Sequence, residues 1–122
     1  MSTSEAPNAD QAKQTDPGNW SDRAASWIKW HDRVTVMGHA TTEALMRAAA
    51  VTQGMEVLDL ASGAGVPALS LAVAVGPNGH VTATDLMPEM VAAAEKNARE
   101  KGLSNITFRQ ADAENLPFGP DV

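Results

Sequence analysis

The run Val57-Leu58-Asp59-Leu60-Ala61-Ser62-Gly63-Ala64-Gly65 constrains this chain more than any other stretch, because an apolar segment suited to a buried strand breaks into a glycine loop. Pro67 to Val75 follows as an alanine- and valine-rich segment that reads as a packed helix. Gly63 and Gly65 lack side chains, so backbone can lie against a ligand and turn sharply into that helix. Asp59 stands just before the loop. Its charge suits a nucleotide-like ligand carrying an amine better than one presenting a pyrophosphate to a helix start.

Two further strand signals follow at helical spacing. Gly76-Pro77-Asn78-Gly79 is a tight turn of strong breakers, and Val81 to Thr84 reads as a second strand. Pro88 suits the first turn of a helix that runs to about Lys101, with Gly102 as its terminator and Glu95 four residues before Arg99 on an exposed face. Ile106 to Arg109 reads as a third strand. Short strands alternating with helices of this length call for parallel pairing through right-handed crossovers. The expected fold is therefore α/β, a Rossmann-like βαβαβ unit with parallel strands, preceded by N-terminal helices.

Those N-terminal helices are read from Trp20 to about residue 52. Trp20, Trp27 and Trp30 are spaced seven and three apart, which places all three near one face of a helix begun by Ser21 or Asp22. Docking that helix on the core is the favoured role for them, ahead of direct contact with a ligand. Thr41 or Thr42 can cap a second helix running to about Val51, which Gln53-Gly54 ends. Residues 1–19 lack apolar periodicity and are read as a disordered tail. The expected division is thus 1–19 tail, 20–52 helical segment and 53–122 ligand-binding domain.

Composition narrows the classes of function. With 122 residues the chain forms one domain and little more. It has no cysteine, which excludes disulfides and thiolate chemistry and is compatible with a reducing cytoplasm, the expected location. The first 18 residues carry neither a basic start nor an apolar stretch of the kind an export signal needs, and no run approaches a membrane span. The formal charge is −6, of which half falls on the first 22 residues. A mildly acidic domain without clustered Lys or Arg is poorly suited to nucleic acid, whose affinity comes mainly from phosphate neutralisation.

Three features fall where a doubly wound fold brings them together, beyond the C-terminal ends of neighbouring strands. The first is the loop from Ala61 to Gly65. The second is Asp85, twenty residues after Gly65 at the end of strand two, where a carboxylate can accept from both hydroxyls of a ribose. Asp85 can equally cap the helix at Pro88 with no ligand involved. The third is Asp112 after strand three, able to accept from an exocyclic amine while the Ala113 N–H donates to a ring nitrogen.

On these residues the chain resembles the class I S-adenosylmethionine-dependent methyltransferases, and most closely the branch that includes the ubiquinone and menaquinone biosynthesis methyltransferases. Four stretches carry the likeness: Val57 to Gly65; Val81-Thr82-Ala83-Thr84-Asp85-Leu86-Met87 with Met90 beyond; the helix with Ala93, Glu95, Asn97 and Ala98; and Ala111-Asp112-Ala113-Glu114-Asn115-Leu116-Pro117-Phe118. The resemblance implies that Asp59 and the Ala61 backbone serve the methionine amine, that Gly63 and Gly65 give close approach, and that Asp85 holds the ribose. It further implies Leu86 or Met87 over the adenine, with Asp112 and Ala113 at its edge. Ala61 stands where glycine is usual, although alanine also occurs there in the quinone branch. The implied reaction is methyl transfer from S-adenosylmethionine to a small organic acceptor. A sulfonium cation carrying an ammonium group also explains nearby carboxylates on Coulombic grounds.

Two other readings stay open. The residues could form a non-catalytic module for S-adenosylmethionine or adenosine. Gly63-Ala64-Gly65-Val66-Pro67-Ala68 also satisfies a dinucleotide-binding pattern with Asp85 downstream. Asp59 opposes that pattern, because its charge would repel a pyrophosphate. His31, His39 and His80 share no motif and no metal-ligand spacing, so no metal and no catalytic base are assigned. The sequence stops after Phe118-Gly119-Pro120-Asp121-Val122, where the resembled family enters a fourth strand. The expectation is a fragment or a self-associating half, with a second copy or another polypeptide pairing along the open edge of strand one.

Overall fold

The computed structural model describes residues 20–120; the tail expected over 1–19 lies outside the described residues. Three helices come first: α1 (Trp20–Lys29), α2 (His31–Met37) and α3 (His39–Ala48). The alternating unit follows as β1 (Glu56–Leu60), α4 (Ala68–Val75), β2 (His80–Asp85), α5 (Pro88–Glu100) and β3 (Ile106–Gln110). The strands form one parallel sheet in the order β1-β2-β3, the expected α/β architecture.

Register decides which side chains share a face. Val57, Val81 and Ile106 lie in one row across the sheet, and Asp59, Ala83 and Phe108 lie in the row two residues on, on the same face. The core forms on that face. Val81 and Ala83 pack with Ala68, Leu71, Ala72 and Val75 of α4, and Val57, Ile106, Phe108 and Leu103 close around them. Asp59 therefore occupies a position on the apolar side of β1, which is why its carboxyl is drawn out of water.

Small residues let α4 seat closely; Ala68 and Ala72 are buried almost completely. The free carbonyls at its C-terminal end are met from elsewhere in the chain. Asn105 Nδ2 donates to Ala72 O at 2.8 Å and to Gly76 O at 2.7 Å, and the Gly54 N–H donates to Val75 O at 2.7 Å. Helix α5 begins with Pro88 at its first turn, as expected, and buries Met90, Ala94 and Ala98. Its exposed ion pair is Lys96 with Glu100 at 3.6 Å, one position on from the expected Glu95 and Arg99.

The N-terminal segment differs from expectation. It holds three helices, since His31–Met37 is helical despite Val34, Thr35 and Val36, whose β-branched side chains disfavour helix and hide its period. Thr35 Oγ1 donates back to His31 O at 2.9 Å within that helix. Helix α3 starts at His39, so Thr41 and Thr42 lie inside it, and Thr42 is buried. Helix α1 docks through Ala24, which packs with Ala64 and Met90, rather than through its tryptophans. Trp30 falls at the α1–α2 junction, where Lys29 and Arg33 lie over its ring at 5.1 Å each. Trp20 and Trp27 pair with each other, ring centroids 6.1 Å apart and tilted by 46°.

Candidate functional site

The loop after β1 is held by backbone and short side chains. Ser62 is buried, and both its N–H (2.8 Å) and its Oγ (3.1 Å) donate to Thr84 O, which fastens the loop to the end of β2. Gly65 N–H donates to Ser62 O at 3.0 Å, and Leu69 N–H donates to Gly65 O at 2.9 Å as α4 begins. From the opposite helix, Asn97 Nδ2 donates to Ala64 O at 3.0 Å. Three loop residues have left-handed backbone: Ala61 (φ 56°), Gly63 (φ 55°) and Gly65 (φ 115°). A Cβ on Gly65 would meet Leu69 Cγ at 2.9 Å, whereas a Cβ on Gly63 would meet nothing within 4 Å.

Asp85 spans the gap between this loop and α5. Its Oδ2 accepts from the Gly63 N–H and its Oδ1 accepts from the Met87 N–H, both at 2.9 Å. Helix capping and ligand contact were alternatives in the sequence; here Asp85 makes no cap to α5, whose N-cap residue is Met87, and instead bonds the Met87 N–H ahead of the helix, lines the cavity and ties down the glycine loop. After β3, Ala111 N–H donates to Asp85 O at 3.0 Å, and Glu114 N–H donates to Asp112 Oδ1 at 3.0 Å, shaping the turn that carries Asp112 and Ala113.

These elements surround a cavity of about 520 Å³, well within the size range of small-molecule sites. Its walls include Ala61, Ser62, Gly63 and Ala64 from the loop, Asp85 at the end of β2 with Leu86, Met87 and Met90 beyond it, and Ala111 to Glu114 after β3. Helices α1 and α2 close another side with Trp20, Trp27, His31 and Val34. Of the nine residues named from the sequence, Ala61, Gly63, Asp85, Leu86, Met87, Asp112 and Ala113 line this cavity, while Asp59 and Gly65 do not. Gly65 is buried beneath Leu69 and acts on the loop's path.

Asp59 supports the cavity electrostatically. Its Oδ2 is buried without a hydrogen-bond partner. Burial, and next the Asp85 carboxylate, push the Asp59 carboxyl up to about 6. An orphaned acid oxygen with a second carboxylate nearby calls for a cation. Asp59, Asp85 and the uncovered Gly63 therefore fit a ligand that carries positive charge and needs close backbone approach. His31 is shifted the other way: burial lowers its basicity, Asp32 raises it and Lys101 lowers it, with burial the largest cause.

Sequence reasoning held ligand contact by Trp20 and Trp27 as the lesser alternative, and it missed Val34, Ser62 and the tether from Asn97. The signal for Asn97 was its type, since asparagine is a poor helix former in the middle of a helix otherwise rich in Ala, Glu and Lys.

The parallel sheet, the loop after β1 and the acids closing β2 and β3 define the cofactor-binding half of a class I S-adenosylmethionine-dependent methyltransferase. The family model described as a methyltransferase domain matches residues 51–121, and the chain belongs to that family. It is 43% identical over 81 residues to the tRNA (guanine(6)-N2)-methyltransferase of Thermus thermophilus, covering 66% of this chain and 24% of that protein. It is 39% identical over 77 residues to a ubiquinone/menaquinone biosynthesis C-methyltransferase of Shewanella sediminis, covering 62% and 30%. Among solved structures, a SAM-dependent methyltransferase from Aquifex aeolicus superposes with a TM-score of 0.57 at 32% identity, covering 62% of this chain and 40% of that one. The chain thus spans less than a third of the length of either curated relative.

Proposed function

We propose that this chain binds S-adenosylmethionine in the cavity between the glycine loop and α5 and serves methyl transfer to a small organic acceptor. The observation that carries this reading is the gathering of Gly63, Asp85 and Asp112 around one cavity, with the unpartnered oxygen of Asp59 beside them. Asp59 and the Ala61 backbone would take the amino-acid end. Gly63 and Gly65 would give the backbone approach and the turn. Asp85 would accept from the ribose hydroxyls through lone pairs left over after its two backbone contacts, each carboxylate oxygen having more than one. Leu86 and Met87 would cover the adenine face, and Asp112 and Ala113 would meet its edge.

When bound, the cofactor supplies an electrophilic methyl group on a sulfonium centre. The chain's share is orientation and water exclusion, which are the main protein contributions to such a displacement. Asp59 weighs against a nicotinamide dinucleotide, whose pyrophosphate would face its charge.

The two relatives differ in kind, one a tRNA guanine methyltransferase and the other a C-methyltransferase of ubiquinone/menaquinone biosynthesis. The mild acidity of this chain and its lack of clustered basic residues favour a small molecule over a polyanion. Cysteine-free composition favours a cytoplasmic setting. Among the described residues no helix is long and apolar enough to cross a membrane. Among them, too, β1 pairs only with β2, and a strand from a second copy or from another polypeptide would extend the sheet there.

Calorimetric titration with S-adenosylhomocysteine and with NAD tests the cofactor, and binding of NAD alone would refute it. Radiolabelled methyl transfer to a panel of small acceptors, by this chain and by a longer version carrying further strands, tests the activity. Light scattering reports self-association, and a monomer at high concentration speaks against a second copy at β1.

A further inference from the structure

Two consecutive residues of the glycine loop are gripped from different sides. The Gly63 N–H is taken by Asp85 at the end of β2, and the Ala64 carbonyl is taken by Asn97 Nδ2 from α5 at 3.0 Å. Helix α5 meets Ala64 twice along one face, since Met90 packs against it and Asn97 lies two turns further on. Ala64 and Met90 line the cavity, whereas Asn97 is half-buried and outside its walls. Asparagine disfavours a helix interior and readily bonds nearby backbone. Here its amide leaves the helix and reaches a carbonyl 33 residues upstream.

We infer that Asn97 is a positioning residue for the cofactor: it fixes the peptide between Ala64 and Gly65, and with it the loop beneath the amino-acid end of S-adenosylmethionine. This rests on the S-adenosylmethionine reading, which gives the glycine loop that end of the ligand and gives Asp112 and Ala113 the adenine. The peptide is held at both of its polar groups, its carbonyl by Asn97 and its N–H by Ser62 O at 3.0 Å. Rotating it turns ψ of Ala64 and φ of Gly65 together, and Gly65, now at φ 115°, is free to take other values. Ala64 is only 8% exposed, so without the Asn97 amide its carbonyl would have little water to replace that donor. A peptide flip that relieved the carbonyl would turn the Gly65 N–H away from Ser62 and reset the backbone that faces the ligand. The donor at residue 97 therefore governs the loop and leaves the adenine end alone.

The test titrates two ligands calorimetrically into wild type, Asn97→Leu and Asn97→Asp: S-adenosylhomocysteine, and 5′-methylthioadenosine, which keeps the nucleoside and thioether but lacks the amino-acid end. Leucine fills the space without a donor, and ionised aspartate keeps the shape but offers the carbonyl only acceptors. Both variants should weaken S-adenosylhomocysteine at least tenfold at pH 7.5 and leave 5′-methylthioadenosine within threefold. In the ligand-free chain, hydrogen exchange at the Gly65 N–H should quicken at least tenfold more than at the buried Val81 N–H, which reports any loss of stability as a whole. Unchanged S-adenosylhomocysteine affinity in either folded variant, equal losses of both ligands, or Gly65 exchange that changes only in step with Val81 would overturn the inference. If one variant does not fold, the other decides. Failure of the wild-type chain to bind S-adenosylhomocysteine refutes the cofactor reading instead, and the exchange at Gly65 still decides whether Asn97 holds the loop.

Discussion

The Gly63 N–H donates to Asp85 Oδ2 at 2.9 Å across 22 residues of sequence, so the acid closing β2 also sets the path of the loop that follows β1. Asp85→Asn keeps one acceptor atom and turns the other into a donor that faces an amide N–H. Losing one charge-assisted bond should cost about 1–3 kcal/mol of stability. S-adenosylhomocysteine affinity should fall about 10- to 100-fold. Urea denaturation and calorimetry check the two halves separately. A stability loss with unchanged affinity would leave Asp85 with a structural role alone.

The Asp59 carboxyl, pushed up to about 6 from an ordinary 3.8, makes stability depend on pH in a stated direction. Below pH 3.8 the acid is protonated folded or unfolded, and it contributes no difference. As pH rises toward 6 the unfolded chain ionises first, so stability falls, and above 6 the loss is complete at up to roughly 3 kcal/mol. Asp59→Asn should therefore stabilise the ligand-free chain at pH 7.5 and not at pH 3.5. It should also weaken S-adenosylhomocysteine, whose ammonium favours the ionised acid. Binding at pH 5.5 should release a proton, visible as a heat that varies with the buffer's ionisation enthalpy.

Gly63→Ala and Gly65→Ala should part company. At Gly63 the added Cβ meets open space, so stability should drop by only about 1 kcal/mol for the left-handed backbone. The same methyl sits on a residue lining the cavity, and ligand affinity should fall at least tenfold. At Gly65 the Cβ meets Leu69 at 2.9 Å on a backbone at φ 115°. Strain and overlap together should cost roughly 2–4 kcal/mol. Thermal melts with and without S-adenosylhomocysteine separate the two patterns.

Ala61 carries left-handed backbone that glycine would adopt without strain. Ala61→Gly should raise stability by about 0.5–1 kcal/mol, the relief of strain exceeding the greater freedom glycine has when unfolded. Because only a methyl is removed, S-adenosylhomocysteine affinity should change less than threefold. A destabilised Ala61→Gly chain would show that the alanine methyl packs usefully.

The alternating part of the fold was legible because its signals are local. Breakers at 76–79 and Gly102 bound the elements, and β1 (Glu56–Leu60) falls on the apolar segment that precedes the glycine loop. The glycine loop and the acids after β2 and β3 were legible for the same reason, since strand ends in this topology converge. What was hidden depends on distant partners. Nothing near Asn97 or Asn105 says that their amides reach carbonyls 29 to 33 residues upstream. Helix α2 was hidden because His31 to Met37 is rich in β-branched residues, and its helical state comes from context. The tryptophan spacing suggested one face for all three, yet Trp30 sits past the end of α1 and turns to Lys29 and Arg33.

The side chain of Asn105 seals the end of α4 from a position that immediately precedes β3, and its own carbonyl accepts from Val81 N–H at 3.0 Å. The first strand–helix–strand crossover is thus finished by a residue that arrives only with the second. A nascent chain ending before residue 105 would leave the carbonyls of Ala72 and Gly76 without these amide donors. The two crossovers should then gain stability in one concerted transition, with no stable folding unit made of β1, α4 and β2 alone.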